Sequence, residues 1–257
     1  MGELDHFAFV LFKPRSPGNI GAAARALKNM GLHDLRLVAP QPRSSPAAAA
    51  MAVHAADVLA AATCYPDLAA AVADRTLVVG TTARTGPYRS ESRPLREAAP
   101  GLVRDGVANR IAVVFGPEDC GLTNVELKLC QRLITIPTAP AYPSLNLAQA
   151  VMVVAYEIMM AAGTASARAE AGAIEYAPTV AVDAMLQRMA QALIGIGFLP
   201  EDNPDHIMFA LRAVFGRGGL RPRELDILDG IANQIRWFAD GGYEAIAAKR
   251  RAGRKLR

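Results

Sequence analysis

The sequence is poor in residues that staple or metallate small proteins. Only three cysteines, Cys64, Cys120 and Cys130, occur in 257 residues, and none forms a C-x-x-C pair. An odd, scattered set excludes a disulfide framework and a zinc ribbon, and places the chain in a reducing cytoplasm. The four histidines, His6, His33, His54 and His206, include no H-x-x-x-H pair, so no metal is expected. There is no G-x-x-x-x-G-K-[ST] phosphate loop, no G-x-S-x-G elbow and no complete dinucleotide fingerprint; Gly195-Ile196-Gly197 lacks its third glycine. No secretory leader is expected either, because the start is acidic and Phe7–Phe12 is only a short apolar run. Residues 133–156 carry no charge, a length that could span a bilayer. Pro137, Pro140 and Pro143 break it, and Ser144, Asn146 and Gln149 follow, so a buried strand, a loop and a buried helix are expected instead.

What is present describes a soluble globular protein. Apolar residues make up 52% and charged residues 20%. The length allows one large domain, or one domain with a small appendage. The net charge of +4 is unevenly spread. The last nine residues hold Lys249, Arg250, Arg251, Arg254, Lys255 and Arg257 and no acid, leaving 22 basic against 24 acidic residues before them. The basic tail is therefore the candidate polyanion contact, and any nucleic-acid surface on the body must be local.

Residues 1–162 alternate strand-like and helix-like segments. Strands are expected at Phe7–Lys13, Leu35–Val38, Leu77–Val79, Ile111–Phe115 and Leu133–Ile136. Helices are expected at Ile20–Met30, stopped by Gly31, and at 47–61, Leu95–Val103, Thr123–Cys130 and Leu145–Met160. Thr123 and Glu126 have the spacing of a capping box. This alternation predicts an α/β domain with a mostly parallel sheet covered by helices on both faces. Residues 163–178 read as a linker, and 179–243 as three helices with no strand. Their apolar stripes are Val182/Met185/Met189/Leu193, Ile207/Leu211/Phe215 and Leu225/Leu228/Ile231/Ile235/Phe238. Residues 244–257 are the basic tail.

In an open α/β sheet, ligands bind beyond the carboxyl ends of the strands. Three loops there stand out. Pro14–Gly21 opens a helix carrying Arg25, with Asn19 and two glycines that free backbone N–H groups for an anion. Gly116–Gly121 follows the strongest strand and holds Glu118 near a helix start. Ile136–Asn146 is proline-stiffened and enters the apolar helix through Ser144, a candidate N-cap, and Asn146, which needs polar partners there. Each loop alone also reads as an ordinary turn with solvated polar residues.

Taken together and in this order, Pro17–Ala26, Phe115–Thr123 and Ser144–Ala150 resemble the three signature motifs of the SpoU class of RNA 2′-O-ribose methyltransferases, in the SPOUT superfamily. The resemblance extends to Val79–Arg84, to Gly197–Leu199 and to Glu224–Leu228, nearly the full chain. It implies a SPOUT-type parallel sheet with a trefoil knot at the carboxyl end of the first domain, followed by the helical appendage. It implies S-adenosylmethionine as cofactor, a homodimer, and tRNA as substrate, modified on the ribose of a pyrimidine (C or U) at position 32 of the anticodon loop. The cofactor would meet Thr81, Thr82, Ala83, Gly116, Ile136, Ser144, Leu145 and Asn146. Arg25 would bind a phosphate and stabilise the developing alkoxide, oriented with the ribose by Asn19, Glu118, Ser144 and Asn146. Another tRNA or rRNA site, a non-catalytic RNA-binding paralogue and a nucleotide-binding metabolic enzyme are the competing readings.

Overall fold

The computed structural model describes residues 4–40, 45–84, 86, 89, 92–165, 174–242 and 244. Part of the expected linker and nearly all of the basic tail lie outside the described residues. The chain divides into two compact units, Met1–Val180 and Ala181–Arg257.

The first unit is built on seven strands: β1 (Phe7–Phe12), β2 (Asp34–Val38), β3 (Thr63–Tyr65), β4 (Leu77–Thr81), β5 (Arg93–Pro94), β6 (Ile111–Phe115) and β7 (Arg132–Thr135). They pair in the order β3-β2-β1-β6-β4-β7-β5, and every pairing is parallel. The connecting helices are α1 (Pro17–Asn29), α2 (Pro46–Ala52), α3 (Ala56–Ala61), α4 (Leu68–Val72), α5 (Leu95–Gly106), α6 (Asn124–Leu127) and α7 (Leu147–Ala165).

The continuous apolar runs follow from burial on both faces. Phe7, Phe9 and Leu11 of β1 share one face with Leu35, Leu37, Leu77, Val79, Ile111, Val113 and Phe115. They form one core with Ile20 and Leu27 of α1, Leu95 and Leu102 of α5, and Val151, Val154 and Ile158 of α7. The Phe9 and Phe115 rings stack with centroids 5.8 Å apart. Each such side chain contributes roughly 1.5–3 kcal/mol by leaving water. Ala8, Val10, Val78, Ala112 and Val114 point the other way and are equally buried. On that face Arg36 of β2 donates to the Ala71 carbonyl of α4 at 2.7 Å. Helices therefore cover both faces. The packing of α7 against α1 and α5 is compatible with a knotted carboxyl end.

Local expectations hold where the signal is local. Gly31 takes a φ of +70° after α1, and Leu32 N–H reaches back to Leu27 O at 2.9 Å, a left-handed helix stop. The Thr123/Glu126 capping box is formed. Residues 47–61 are not one helix: His54, at φ +60°, separates α2 from α3. The short strands β3 and β5 and the five-residue helix α4 escape the sequence reading, because runs this short show no period. The uncharged stretch 133–156 resolves into β7, a loop and α7. By length and composition α7 could cross a membrane, but it runs through the core of this unit.

At the amino ends of β2 and β4, buried Arg36 and Arg75 are neutralised by Asp34 and Asp74. Arg36 Nη1 lies 2.6 Å from Asp74, and Arg75 Nη2 lies 2.6 Å from Asp34. Nearby, residues 174–179, partly within the expected linker, are tied onto the sheet. Tyr176 N–H donates to Asn109 Oδ1 at 2.8 Å, and Thr179 Oγ1 donates to Val72 O at 2.7 Å.

The second unit contains α8 from its third residue (α8 spans Thr179–Gly195), α9 (Asp205–Gly218) and α10 (Pro222–Ala239). Its core joins Met185, Leu186, Met189 and Ala192 to Ala232, with Phe215, Leu225, Leu228 and Ile235 packed around them. Ion pairs Arg188–Asp229 and Arg212–Asp183 tie α8 to α10 and α9. Ile231 and Phe238, expected in the α10 stripe, are instead exposed. The inward line runs through buried Ala232 and half-buried Leu225, Leu228 and Ile235, at spacings of three and four.

Candidate active site

The carboxyl ends of β4, β6 and β7 open into a cleft of about 350 Å³. Three segments line it: Thr81–Arg84 after β4, Phe115–Leu122 at the end of β6, and Ile136 with Pro143–Leu145 after β7. Leu147 and Ala150 of α7 complete the wall. Seven of the eight expected cofactor residues are among these, with Asn146 the exception. Arg84, Asp119, Cys120 and Leu122 were not anticipated. They lie within the segments Val79–Arg84 and Phe115–Thr123, and that membership is the signal that could have found them.

The cleft is shaped by backbone. Thr82 N–H donates to Ile134 O at 3.0 Å, and Thr81 Oγ1 donates to Val114 O at 3.0 Å, fixing the β4 end against both neighbours. Gly116 has no room for a side chain: a Cβ there would lie 2.3 Å from Gly121 C and from Leu122 N. The loop therefore folds back tightly on itself, and Gly121 turns it at φ +62°. At the start of α1, a Cβ on Gly21 would lie 2.0 Å from Ala48 O, so this glycine lets α1 and α2 touch backbone to backbone.

At the mouth, the three sequence motifs meet through polar side chains. Asn146 Nδ2 donates to Asn19 Oδ1 at 3.0 Å, and Asn19 Nδ2 donates to Glu118 Oε1 at 2.8 Å. Glu118 also accepts Arg15 N–H at 3.0 Å and Ser16 N–H at 3.2 Å. The anion that meets the freed amides at the α1 start is thus the protein's own carboxylate. Burial pushes the Glu118 carboxyl upward. The hydrogen bonds from Arg15, Asn19 and Ser16 outweigh that and hold it below the ordinary carboxylate range.

Asn146, not Ser144, caps α7. Its Oδ1 accepts Ala148 N–H at 2.9 Å, and Gln149 Oε1 accepts Asn146 N–H at 3.2 Å, a reciprocal capping box. The polar partners that Asn146 requires are therefore Asn19 and its own helix start. Ser144 is exposed on the cleft wall. Arg25 stands apart, six residues or about 9 Å further along α1 than Asn19. It is exposed and has no hydrogen bond or ion pair among the described residues. Arg15 Nη2 pairs with Asp119 at 2.6 Å on the outer rim. Desolvation, and then the Asp119 carboxylate, hold the Cys120 thiol above its usual value, which keeps it protonated.

Apolar shelves (Phe115, Leu122, Ile136, Leu145, Leu147), exposed loop backbone and two carboxylates at the mouth suit a nucleoside carrying a cationic group. Among the described residues, no group of three or more His, Cys, Asp and Glu side chains is arranged to hold a metal ion.

Comparison with known proteins gives the same reading. Residues 6–156 match the SpoU rRNA Methylase family, and residues 180–250 match the C-terminal domain of the tRNA methyltransferase TrmJ. The tRNA (cytidine/uridine/adenosine-2′-O-)-methyltransferase TrmJ of Pseudomonas aeruginosa is 38% identical over 248 residues, covering 93% of this chain and 96% of that protein. The tRNA (cytidine/uridine-2′-O-)-methyltransferase TrmJ of Salmonella typhimurium is 37% identical, covering 90% and 97%. Among solved structures, TrmJ from Z. mobilis ZM4 superposes with a TM-score of 0.75 at 33% identity, covering 89% of this chain and 98% of that one. The chain belongs to the SpoU rRNA methylase family.

Proposed function

We propose that the chain transfers a methyl group from S-adenosylmethionine to a ribose 2′-hydroxyl of tRNA, at the pyrimidine (C or U) at position 32 of the anticodon loop. One observation carries this reading: the hydrogen-bonded line Asn146–Asn19–Glu118 at the mouth of a backbone-built cleft. The relatives' own activities, and the match of residues 180–250 to a tRNA methyltransferase domain, favour tRNA over ribosomal RNA.

S-Adenosylmethionine supplies an already activated methyl group on a sulfonium. When bound it would supply a methyl carbon whose bond to sulfur breaks as the ribose oxygen bonds to it, and the hydroxyl proton would pass to solvent. What remains for the protein is alignment and charge stabilisation. Thr82, Ala83, Gly116, Ile136 and Leu145, which line the cleft, would hold the donor through loop backbone and apolar side chains. Thr81 braces the β4 end and Ser144 stands on the wall where the ribose enters. Glu118 is a poor base, because three donors occupy its oxygens and its carboxyl is stabilised as the anion. It is a positioning residue that orients Asn19, and through Asn19 the Asn146 amide. Arg25 holds an RNA phosphate and stabilises the developing alkoxide.

The active form is a homodimer in the cytoplasm. Tyr156 and Met160 of α7 are exposed, with Met152 and Val153 half-buried beside them, an apolar stripe suited to a second copy. Residues 244–257 add charge for RNA in this reading.

The test is methyl transfer from S-adenosylmethionine to unmodified bulk tRNA, with digested nucleosides read by mass spectrometry. A gain of 2′-O-methylcytidine or 2′-O-methyluridine, lost in Arg25→Ala, is expected. A gain on ribosomal RNA alone would replace the substrate. No gain on either RNA, with no cofactor binding by calorimetry, would favour a non-catalytic RNA-binding protein.

A further inference from the structure

A second cleft, of about 590 Å³, lies on the other side of the Pro117–Gly121 loop. Its floor comes from the carboxyl ends of β1 and β2, through Phe12, Lys13, Pro14 and Ala39. Pro117, Cys120 and Gly121 line both clefts, so one loop separates them. The strand order gives this place a meaning. β1 leads outward to β2, whereas β6, beside it, leads the opposite way to β7. The cleft therefore sits at the topological switch point of the sheet, where open α/β folds bind ligands. The cofactor cleft lies to one side, at β4, β6 and β7.

The chain is held in an unusual way here. Lys13 at φ +50° and Ala39 at φ +42° are both left-handed without being glycine, and they end two adjacent strands. Such conformations are strained and cluster at functional sites. Lys13 N–H donates to Val38 O at 2.9 Å, locking the two bends together. The Lys13 ammonium lies 4.9 Å above the Phe12 ring centroid. Among the described residues it has no carboxylate partner. Of the neighbouring charges, Arg15 is paired with Asp119, and Glu126 accepts from the Thr123 hydroxyl and N–H. The cleft thus offers one cation with no ion pair among the described residues, over an aromatic face, and the Glu126 carboxylate on its wall keeps its own charge.

We infer that this second cleft is a subsite for a phosphate of the RNA backbone beside the methylated nucleotide, with Lys13 as its cation. The inference rests on the RNA-methylating function proposed above. A ribose presented to the cofactor cleft leaves its neighbouring phosphate across the dividing loop, where Lys13 stands. A backbone phosphate carries no base information, so the contact sets register rather than sequence.

The test compares wild type, Lys13→Ala and Lys13→Arg as full chains. tRNA binding is measured by fluorescence anisotropy over a salt series, and S-adenosylmethionine binding by calorimetry. Lys13→Ala should weaken tRNA binding several-fold at low salt and reduce the slope of log K against log salt by about one. Lys13→Arg should restore both, and cofactor affinity should be equal in all three. Unchanged tRNA affinity and slope in Lys13→Ala would overturn the subsite. A matching loss of cofactor affinity would also overturn it, by showing that the shared loop had moved. The binding readout does not need turnover. A wild type that binds tRNA without methylating it would sink the functional reading and still leave the subsite to be judged by the slope.

Discussion

Glu118→Gln is the most informative single change in the site. The shape is kept, but one oxygen becomes an amide donor. As it stands, Oε2 accepts Arg15 N–H and Oε1 accepts both Ser16 N–H and the Asn19 amide. A glutamine can keep its oxygen toward Ser16 and Asn19, which sets its NH2 against the Arg15 N–H. One hydrogen bond is then lost and two pass from charge-assisted to neutral. At roughly 1 kcal/mol for the lost bond and 0.5–1 kcal/mol for each weakened one, reduced because the site is partly open to water, the cost is about 2 kcal/mol. The change also carries a pH signature. The folded carboxyl lies below its ordinary value, so its stabilisation is complete above the unfolded pKa and is lost as pH falls through the folded one. Wild type should therefore exceed Glu118→Gln in denaturant stability near pH 7. The gap should narrow as pH falls below the ordinary carboxyl value and close once the folded carboxyl is itself protonated. Turnover should fall by roughly one to two orders of magnitude, because Asn19 and the Asn146 amide lose their fixed orientation. Equal stability near pH 7, or a gap that persists unchanged into acid, would refute the assignment of this carboxylate as the anion that organises the three loops.

Other changes probe separate parts of the argument. Gly116→Ala places a Cβ 2.3 Å from the Gly121–Leu122 backbone, so calorimetry should show cofactor affinity reduced by at least about tenfold, with the melting temperature also lowered. Gly21→Ala drives a methyl into Ala48 O, 2.0 Å away, and should cost about 1–3 kcal/mol in denaturant unfolding despite the better helix propensity of alanine. Arg25→Lys keeps the charge but loses the planar fork; turnover should drop well below wild type with S-adenosylmethionine affinity unchanged, and full activity would remove the role given to the guanidinium. Deleting residues 249–257 removes six basic residues and should flatten the salt dependence of tRNA binding while leaving cofactor binding intact.

Much of this architecture is written locally. Phe7–Phe12 and Ile111–Phe115 have no polar residue because both of their faces are covered, so the sequence by itself announces central parallel strands. Ile20, Leu27 and Gly31 mark α1 and its stop, and Thr123 with Glu126 marks the start of α6, because these contacts close within a few residues. The three loop motifs are equally visible, since glycine, proline and asparagine are needed wherever the chain turns tightly.

What the sequence by itself did not determine is which loops meet. Asn19 and Glu118 are 99 residues apart, and Asn146 and Asn19 are 127 apart; no period in the chain relates them. Strand order brings them together, placing β6 beside β1 and returning α7 across α1. The same order decided that Glu118 answers the start of α1 rather than that of α6. It also set Lys13 at the switch point without a carboxylate partner among the described residues. Hydrophobic periodicity records how far each side chain is withdrawn from water, which is a local quantity. Hydrogen-bond partners and charge neutralisation depend on which distant segments the sheet makes neighbours, and that is settled only when the tertiary structure forms.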